Sequence, residues 1–131
     1  MEDNLTGCWD GFYTYARRDY AVGFGATLIE TPGWLTGSTQ EVCSSGQEEG
    51  ALLCATLEGH RNNAEVQFVK TYDGSAANFN RPVHYRGMVS ADGTEIEGTW
   101  QISARWTGRF LMLRSGSHGV EQRVAEFEKA K

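Results

Sequence analysis

The stretch Glu95-Ile96-Glu97-Gly98-Thr99-Trp100-Gln101-Ile102 alternates cleanly: Ile96, Gly98, Trp100 and Ile102 share one parity, Glu95, Glu97, Thr99 and Gln101 the other. Successive side chains of a strand point to opposite faces, so this segment reads as a strand with one dry face and one wet face. Gly98 falls on the dry parity, where glycine packs nothing and usually marks a bend, a bulge or the close approach of another group. Glycine and tryptophan recur together in Gly7-Cys8-Trp9-Asp10-Gly11-Phe12-Tyr13 and in Trp106-Thr107-Gly108-Arg109-Phe110. Strands that bend at glycine while keeping one face wet suit a small closed β structure.

Working outward, turn signals cut the chain at short intervals into segments rich in β-branched and aromatic residues. The candidate strands span 6–16, 23–31, 34–43, 51–60, 64–72, 83–90, 95–103 and 106–114. The clearest connections are Thr31-Pro32-Gly33, Arg61-Asn62-Asn63, Ala91-Asp92-Gly93-Thr94 and a long loop over 73–82. Val83, Tyr85, Gly87 and Val89 alternate with His84, Arg86, Met88 and Ser90, and Phe24, Ala26 and Leu28 alternate with Gly25, Thr27 and Ile29. The pattern predicts an all-β chain, a single antiparallel up-and-down β-barrel of about eight strands. Beyond it Val120, Val124 and Phe127 repeat at i, i+4 and i+7 among charged residues, the stripe of a short amphipathic C-terminal helix. The expected division is 1–116 for the barrel and 117–131 for the helix, which would lie against the barrel, plug one end or extend to a partner.

With 131 residues the chain suits one domain with one core. Sixteen glycines against two prolines, with 40% hydrophobic residues, indicate many turns in a folded chain. A formal charge of −5 and a pI near 5.1 oppose the basic face that phosphate contacts need, which argues against nucleic acid as a partner. No apolar run reaches the roughly 18 residues of a membrane-spanning helix, and Met1-Glu2-Asp3-Asn4 shows no signal-peptide pattern. A cytoplasmic location is the expectation from these features. Cys8, Cys43 and Cys54 are too few for a disulfide scaffold. Cys43 and Cys54 flank the polar stretch 44–50, so a hairpin would bring them to neighbouring strands; a bridge and two ordinary free thiols are both open, and a reducing compartment favours the thiols.

Every strong catalytic motif is missing: no Ser-His-Asp order, no glycine-rich phosphate loop, no His-x-x-x-His pair and no Cys-x-x-Cys. The best scattered set is Glu58 with His60, two apart on one strand face, joined by His84 and Arg86 on another. Pointing inward, imidazole and carboxylate would meet across the lumen as a general acid/base pair; pointing outward, they are ordinary surface polarity. No metal site and no cofactor are expected. For a ligand, the residues singled out are Trp34, Tyr72, Tyr85 and Trp106 as flat surfaces with polar handles, Phe79 in the long loop, and Arg109 as the cation for an acidic headgroup. Core packing explains the aromatics equally well, and Arg109 also fits a structural partner such as the face of Trp9.

Gly7-Cys8-Trp9 in the first strand, with Arg109 or Arg114 in the last, resembles the signature of the calycin barrels: lipocalins, fatty-acid-binding proteins and avidins. The resemblance implies an up-and-down barrel whose arginine packs near the first-strand tryptophan at a closed end. Short connections bring it nearer the compact avidin type, although the pattern of biotin-contacting residues is not present. A series over most of the chain, Trp9-x-Gly11-x-Tyr13, Leu35-Thr36-Gly37 followed by Glu41, Val69-Lys70-Thr71-Tyr72-Asp73-Gly74, Asp92-Gly93-Thr94-Glu95-Ile96-Glu97-Gly98-x-Trp100 and Trp106-x-Gly108-x-Phe110-x-Met112, is similar to a family of small bacterial proteins. That likeness implies the fold and no activity.

The functional expectation is therefore a non-enzymatic binder of a small hydrophobic or amphipathic ligand in the barrel lumen. The alternatives are a small lumenal isomerase or hydrolase using histidine and glutamate, and a filled barrel acting as a homo-oligomeric interaction module.

Overall fold

Each alternating segment is a strand in the computed structural model of the chain, which describes residues 4–16, 21–42, 50–73, 81–116 and 119–129. The strands are β1 (Gly7–Tyr15), β2 (Val22–Thr31), β3 (Trp34–Val42), β4 (Leu52–Asn62), β5 (Glu65–Tyr72), β6 (Val83–Val89), β7 (Glu95–Ser103) and β8 (Trp106–Arg114), followed by α1 (Val120–Lys129). Each strand pairs antiparallel with the next, and β8 returns to pair with β1 from Trp9↔Arg114 to Tyr15↔Gly108, closing the barrel. No helix is long and apolar enough to cross a membrane among the described residues.

The turns at one end follow their residues. Pro32-Gly33 joins the paired Thr31 and Trp34, with Gly33 at φ 79°, as a turn with proline then a positive-φ glycine requires. β4 runs further than the sequence suggests, because Arg61 pairs with Val66 and Asn62 with Glu65, leaving only Asn63-Ala64 as the turn. Asn63 takes φ 59°, a conformation asparagine tolerates, and Arg61 Nε donates to its carbonyl at 2.6 Å, so pairing can continue to the last residue.

Glycines set the close approaches between strands. A Cβ at Gly98 would run into the carbonyl oxygen of Arg86, and one at Gly108 into that of Thr14. Both positions need the hydrogen side chain for the wall to bend.

The inward parity of every strand builds one core, with Trp9, Leu28, Leu35, Leu57, Val66, Ile96 and Met112 all essentially buried. At mid-height Phe68 stacks on Tyr85 at 4.9 Å, and Phe110 meets Tyr85 edge-on at 5.0 Å. The lower barrel is therefore packed solid. Its end is closed by Leu5, fully buried, whose carbonyl accepts from Trp9 Nε1 at 2.9 Å. The Arg114 guanidinium lies 4.6 Å from the centre of the Trp9 ring system and donates to the carbonyls of Asn4 at 2.8 Å, Thr6 at 3.2 Å and Gly93 at 3.1 Å. Of the two arginines left open by the sequence, Arg114 covers the tryptophan.

Helix α1 lies against the outside of the wall. Phe127 is buried on Leu111 and Leu113 of β8, with Val120, Val124 and Phe12 around it. That explains why β8 is apolar on both parities. Arg123 reaches Glu95 at 3.0 Å and Glu97 at 2.6 Å, and Glu128 accepts from the Ala21 amide at 2.9 Å.

Candidate functional site

Toward the end of the barrel away from Arg114, two strands carry a charge on their inward parity. On β3 the inward series Leu35, Gly37, Thr39 ends in Glu41, and on β5 Val66 and Phe68 are followed by Lys70 and Tyr72. Strands β6, beside β5, and β1, two strands from β3, add Tyr85 and Tyr13, and all five polar ends meet above the packed lower core.

Their geometry forms a closed network. Glu41 accepts from Tyr13 Oη at 2.7 Å and from Tyr72 Oη at 2.8 Å, while Lys70 Nζ approaches it at 3.5 Å. The ammonium sits among the rings of Phe24 and Tyr72 at 4.9 Å and Tyr13 and Tyr85 at 5.3 Å. Side chains of Lys70 and Glu41 are 1% and 3% exposed. A buried charge survives only when paired and hydrogen-bonded, and aromatic faces add attraction for a cation. Among the described residues Thr39 Oγ1, deeper in the lumen, is the buried side-chain oxygen without a partner.

Electrostatics follow from this burial. Burial raises the Tyr13 phenol far above its ordinary range, and the Glu41 carboxylate adds to the rise. Tyr72 and Tyr85 are likewise raised by burial against the opposing pull of Lys70. Burial disfavours the Lys70 ammonium, yet Tyr85, Tyr72 and Glu41 outweigh it and its pKa lies above the ordinary lysine range. With the phenols neutral at neutral pH, the Glu41 carboxylate is the full charge that holds that proton.

Above the network a cavity of about 50 Å³ opens at the end of the barrel away from Arg114. Its floor is Lys70, Tyr13, Tyr72 and Tyr85; its walls are Tyr15, Val83, Trp100 and Ile102; Arg81 and Trp106 stand at the rim, with the guanidinium 6.0 Å from the indole. Trp100 is fixed by donating from Nε1 to the Thr14 carbonyl at 3.0 Å. The walls are apolar and flat, and the floor offers a cation and phenols.

Of the residues singled out from sequence, Tyr72, Tyr85 and Trp106 line this cavity. Trp34 does not: it is 60% exposed beside the Pro32-Gly33 turn, at the other end of the barrel. Arg109 is also displaced from the lumen. It lies on the outer parity with Leu111 and Leu113, donates to the Phe127 carbonyl at 2.7 Å and stacks at 4.4 Å over the Phe127 ring, so its guanidinium caps the docked helix. Phe79 lies outside the described residues, as does Cys43; Cys54 is a free thiol opposite Gln40.

Glu58, His60, His84 and Arg86 point outward, because Ala55 and Leu57 on β4 and Val83 and Tyr85 on β6 take the inward parity. They meet on the outer wall instead of across the lumen. Glu58 and His84 flank Val69, and His60 and Arg86 flank Gln67, along an open groove of about 400 Å³. No group of three or more His, Cys, Asp or Glu side chains gathers to hold a metal among the described residues.

Sequence reasoning passed over Lys70 and Glu41 as site residues. The available signal was a charge on the apolar parity of each of two strands, opposite in sign.

No family model matches the chain, and a comparison with curated proteins finds no match. The likeness to a small bacterial family is therefore unsupported. Among solved structures the chain is similar to apocrustacyanin C1, at 11% identity and a TM-score of 0.48, over 96% of this chain and 69% of that one.

Proposed function

We propose that this chain is a non-enzymatic binder of a small hydrophobic or amphipathic molecule, taken into the open end of the barrel. The observation that carries the reading is a cavity with aromatic and aliphatic walls set over a buried lysine and three phenols. A core built only for stability gains little from a buried ion pair, which well-packed apolar residues commonly replace without loss. Pockets for small molecules combine such walls with a few convergent polar groups. With about 50 Å³ of free space the site takes the end of a molecule and leaves the remainder at the rim by Arg81 and Trp106.

The lumenal enzyme reading loses its acid and base, since Glu58, His60 and His84 share the outer wall with Arg86. A second reading, self-association, is favoured by one observation: Val42 and Leu52 are cross-strand partners on the outer face, 59% and 61% exposed. Native mass spectrometry of protein purified from its own host, compared with the same sample denatured, separates the two. A stoichiometric small mass lost on denaturation supports the binder. A bare multimer supports assembly, and a bare monomer counts against both.

A further inference from the structure

We propose that the ligand enters head-down with an anionic oxygen group, a carboxylate or its equivalent, directed at Lys70 and Tyr85. The inference rests on the binder reading above and adds the charge and orientation of what is bound.

Three observations carry it. First, the charged side chains lining the cavity among the described residues are Lys70 and Arg81, both cationic, in a chain whose formal charge is −5. Glu41, the nearby acid, does not line the cavity; the phenols of Tyr13 and Tyr72 are bonded to its two oxygens. Second, the Lys70 ammonium is only loosely held by that carboxylate. Its 3.5 Å separation exceeds the roughly 2.7–2.9 Å of a charge-assisted N–H···O bond. The tight bonds to Glu41 come from the two phenols, at 2.7 and 2.8 Å, so the carboxylate is held chiefly by neutral donors while the ammonium lines the cavity as a charge for a second anion to meet. Third, Tyr85 also lines the cavity, and the ammonium lies 5.3 Å from the centre of its ring, which brings a phenol to the cavity floor beside Lys70. Together they make a two-point acceptor site for one oxyanion at the bottom of an apolar slot, with Arg81 at the rim to steer it in.

A cationic or neutral head would fare worse. An ammonium would meet Lys70 across a low-dielectric gap, and a neutral amide would forgo the charge while still losing its own hydration. The body that follows the head is flat and apolar, because Trp106, Trp100, Ile102 and Val83 line its path.

The test is binding of a matched set, phenylacetate, phenylacetamide and 2-phenylethylamine, to the intact chain, read by calorimetry and by quenching of tryptophan fluorescence. We expect phenylacetate to bind about 10-fold or more tighter than the amide, as a hydrogen bond to a charged group allows, and the amine not to bind. The preference should vanish in the paired variant Lys70→Met with Glu41→Gln, which removes both charges together and leaves no buried ion unpaired. Retention of fold in that variant is checked by circular dichroism, and Arg81→Gln provides a second probe that leaves the interior untouched. Arg81→Gln should slow capture of phenylacetate and reduce its salt dependence. Equal binding of acid and amide would overturn the anion proposal and leave the pocket standing; failure of all three, with no ligand in the native mass spectrum, would remove the pocket itself.

Discussion

Lys70 Nζ lies 3.5 Å from Glu41 Oε1 inside the barrel, and both side chains are almost wholly buried. Breaking such a pair from one side leaves an uncompensated charge in a medium that cannot solvate it. Lys70→Met is therefore expected to lower stability by about 3–5 kcal/mol, and the further change Glu41→Gln to restore much of the loss. Urea denaturation of the single and paired variants measures this directly. If the two substitutions are simply additive, the pair is not coupled and the network is merely a set of neighbours.

The same cluster fixes the alkaline limit of the fold. The phenols of Tyr13, Tyr72 and Tyr85 are raised above their ordinary 10.0, and Lys70 above 10.5. A group whose folded pKa is raised contributes stability that is fully present below the unfolded value and is lost as pH rises above it. Stability should thus be level up to about pH 10 and fall steeply beyond it, as the unfolded chain sheds protons that the folded one retains. Phenolate absorbance should show at least three of the five tyrosines ionising together with loss of the fold. Smooth ionisation of all five before unfolding would contradict the buried network.

At the closed end Arg114 stacks on Trp9 and donates to the carbonyls of Asn4, Thr6 and Gly93. A lysine offers one point charge where the planar guanidinium spans several acceptors and a ring. Arg114→Lys should lose about 1–3 kcal/mol, with amide exchange accelerated in residues 4–6 ahead of the rest of the barrel. Unchanged exchange in that segment would show that Leu5, buried beneath it, holds the end without the arginine.

Helix α1 is ten residues long, too short to persist alone in water. Its docking depends on Phe127 against Leu111 and Leu113, and on Arg109 reaching the Phe127 carbonyl. Phe127→Ala should release the helix, cost about 3–5 kcal/mol at most, and remove most of the helical circular dichroism while β signal remains. Persistence of that helical signal would mean that the Arg123 pairs with Glu95 and Glu97 suffice to hold it.

The architecture was legible because parity carries it. Eight alternating runs, a proline-glycine turn and glycines on the dry parity predict a closed barrel, and the helix stripe of Val120, Val124 and Phe127 is the face that docks. The lining of the cavity was legible only in part. Tyr72, Tyr85 and Trp106 follow from their aromatic character, but Arg109 misleads because the β8 residues around it are apolar on both parities, one for the lumen and one for the helix. Which parity faces inward is a tertiary fact there. Glu58 with His60 and His84 with Arg86 misled for the opposite reason: a chemically attractive set sat on the wet parity, and the larger apolar residues beside it had already claimed the interior. Lys70 and Glu41 each sit on the apolar parity of their strand, but only the barrel brings the two charges within reach of one another.

Gly98 offers the last prediction, and the sharpest on the wall itself. A Cβ there would meet the carbonyl oxygen of Arg86 and the Cα of Gly87, all backbone on the neighbouring strand. Elsewhere in a strand alanine in place of glycine is usually favourable, because it narrows the unfolded ensemble and adds apolar contact. Here the neighbouring backbone cannot swing aside as a flexible side chain would, so β6 and β7 must separate or the bend must flatten. Gly98→Ala is expected to destabilise the barrel clearly, by about 1–3 kcal/mol as overpacking does, whereas Gly25→Ala, with nothing within 4 Å of its added carbon, should be close to neutral. Thermal denaturation of the two variants side by side provides the comparison, the same chemical change placed once against backbone and once in open space. Equal melting temperatures would mean that the wall at Gly98 yields freely, and the glycines on the dry parity would then owe their place to something other than strand approach.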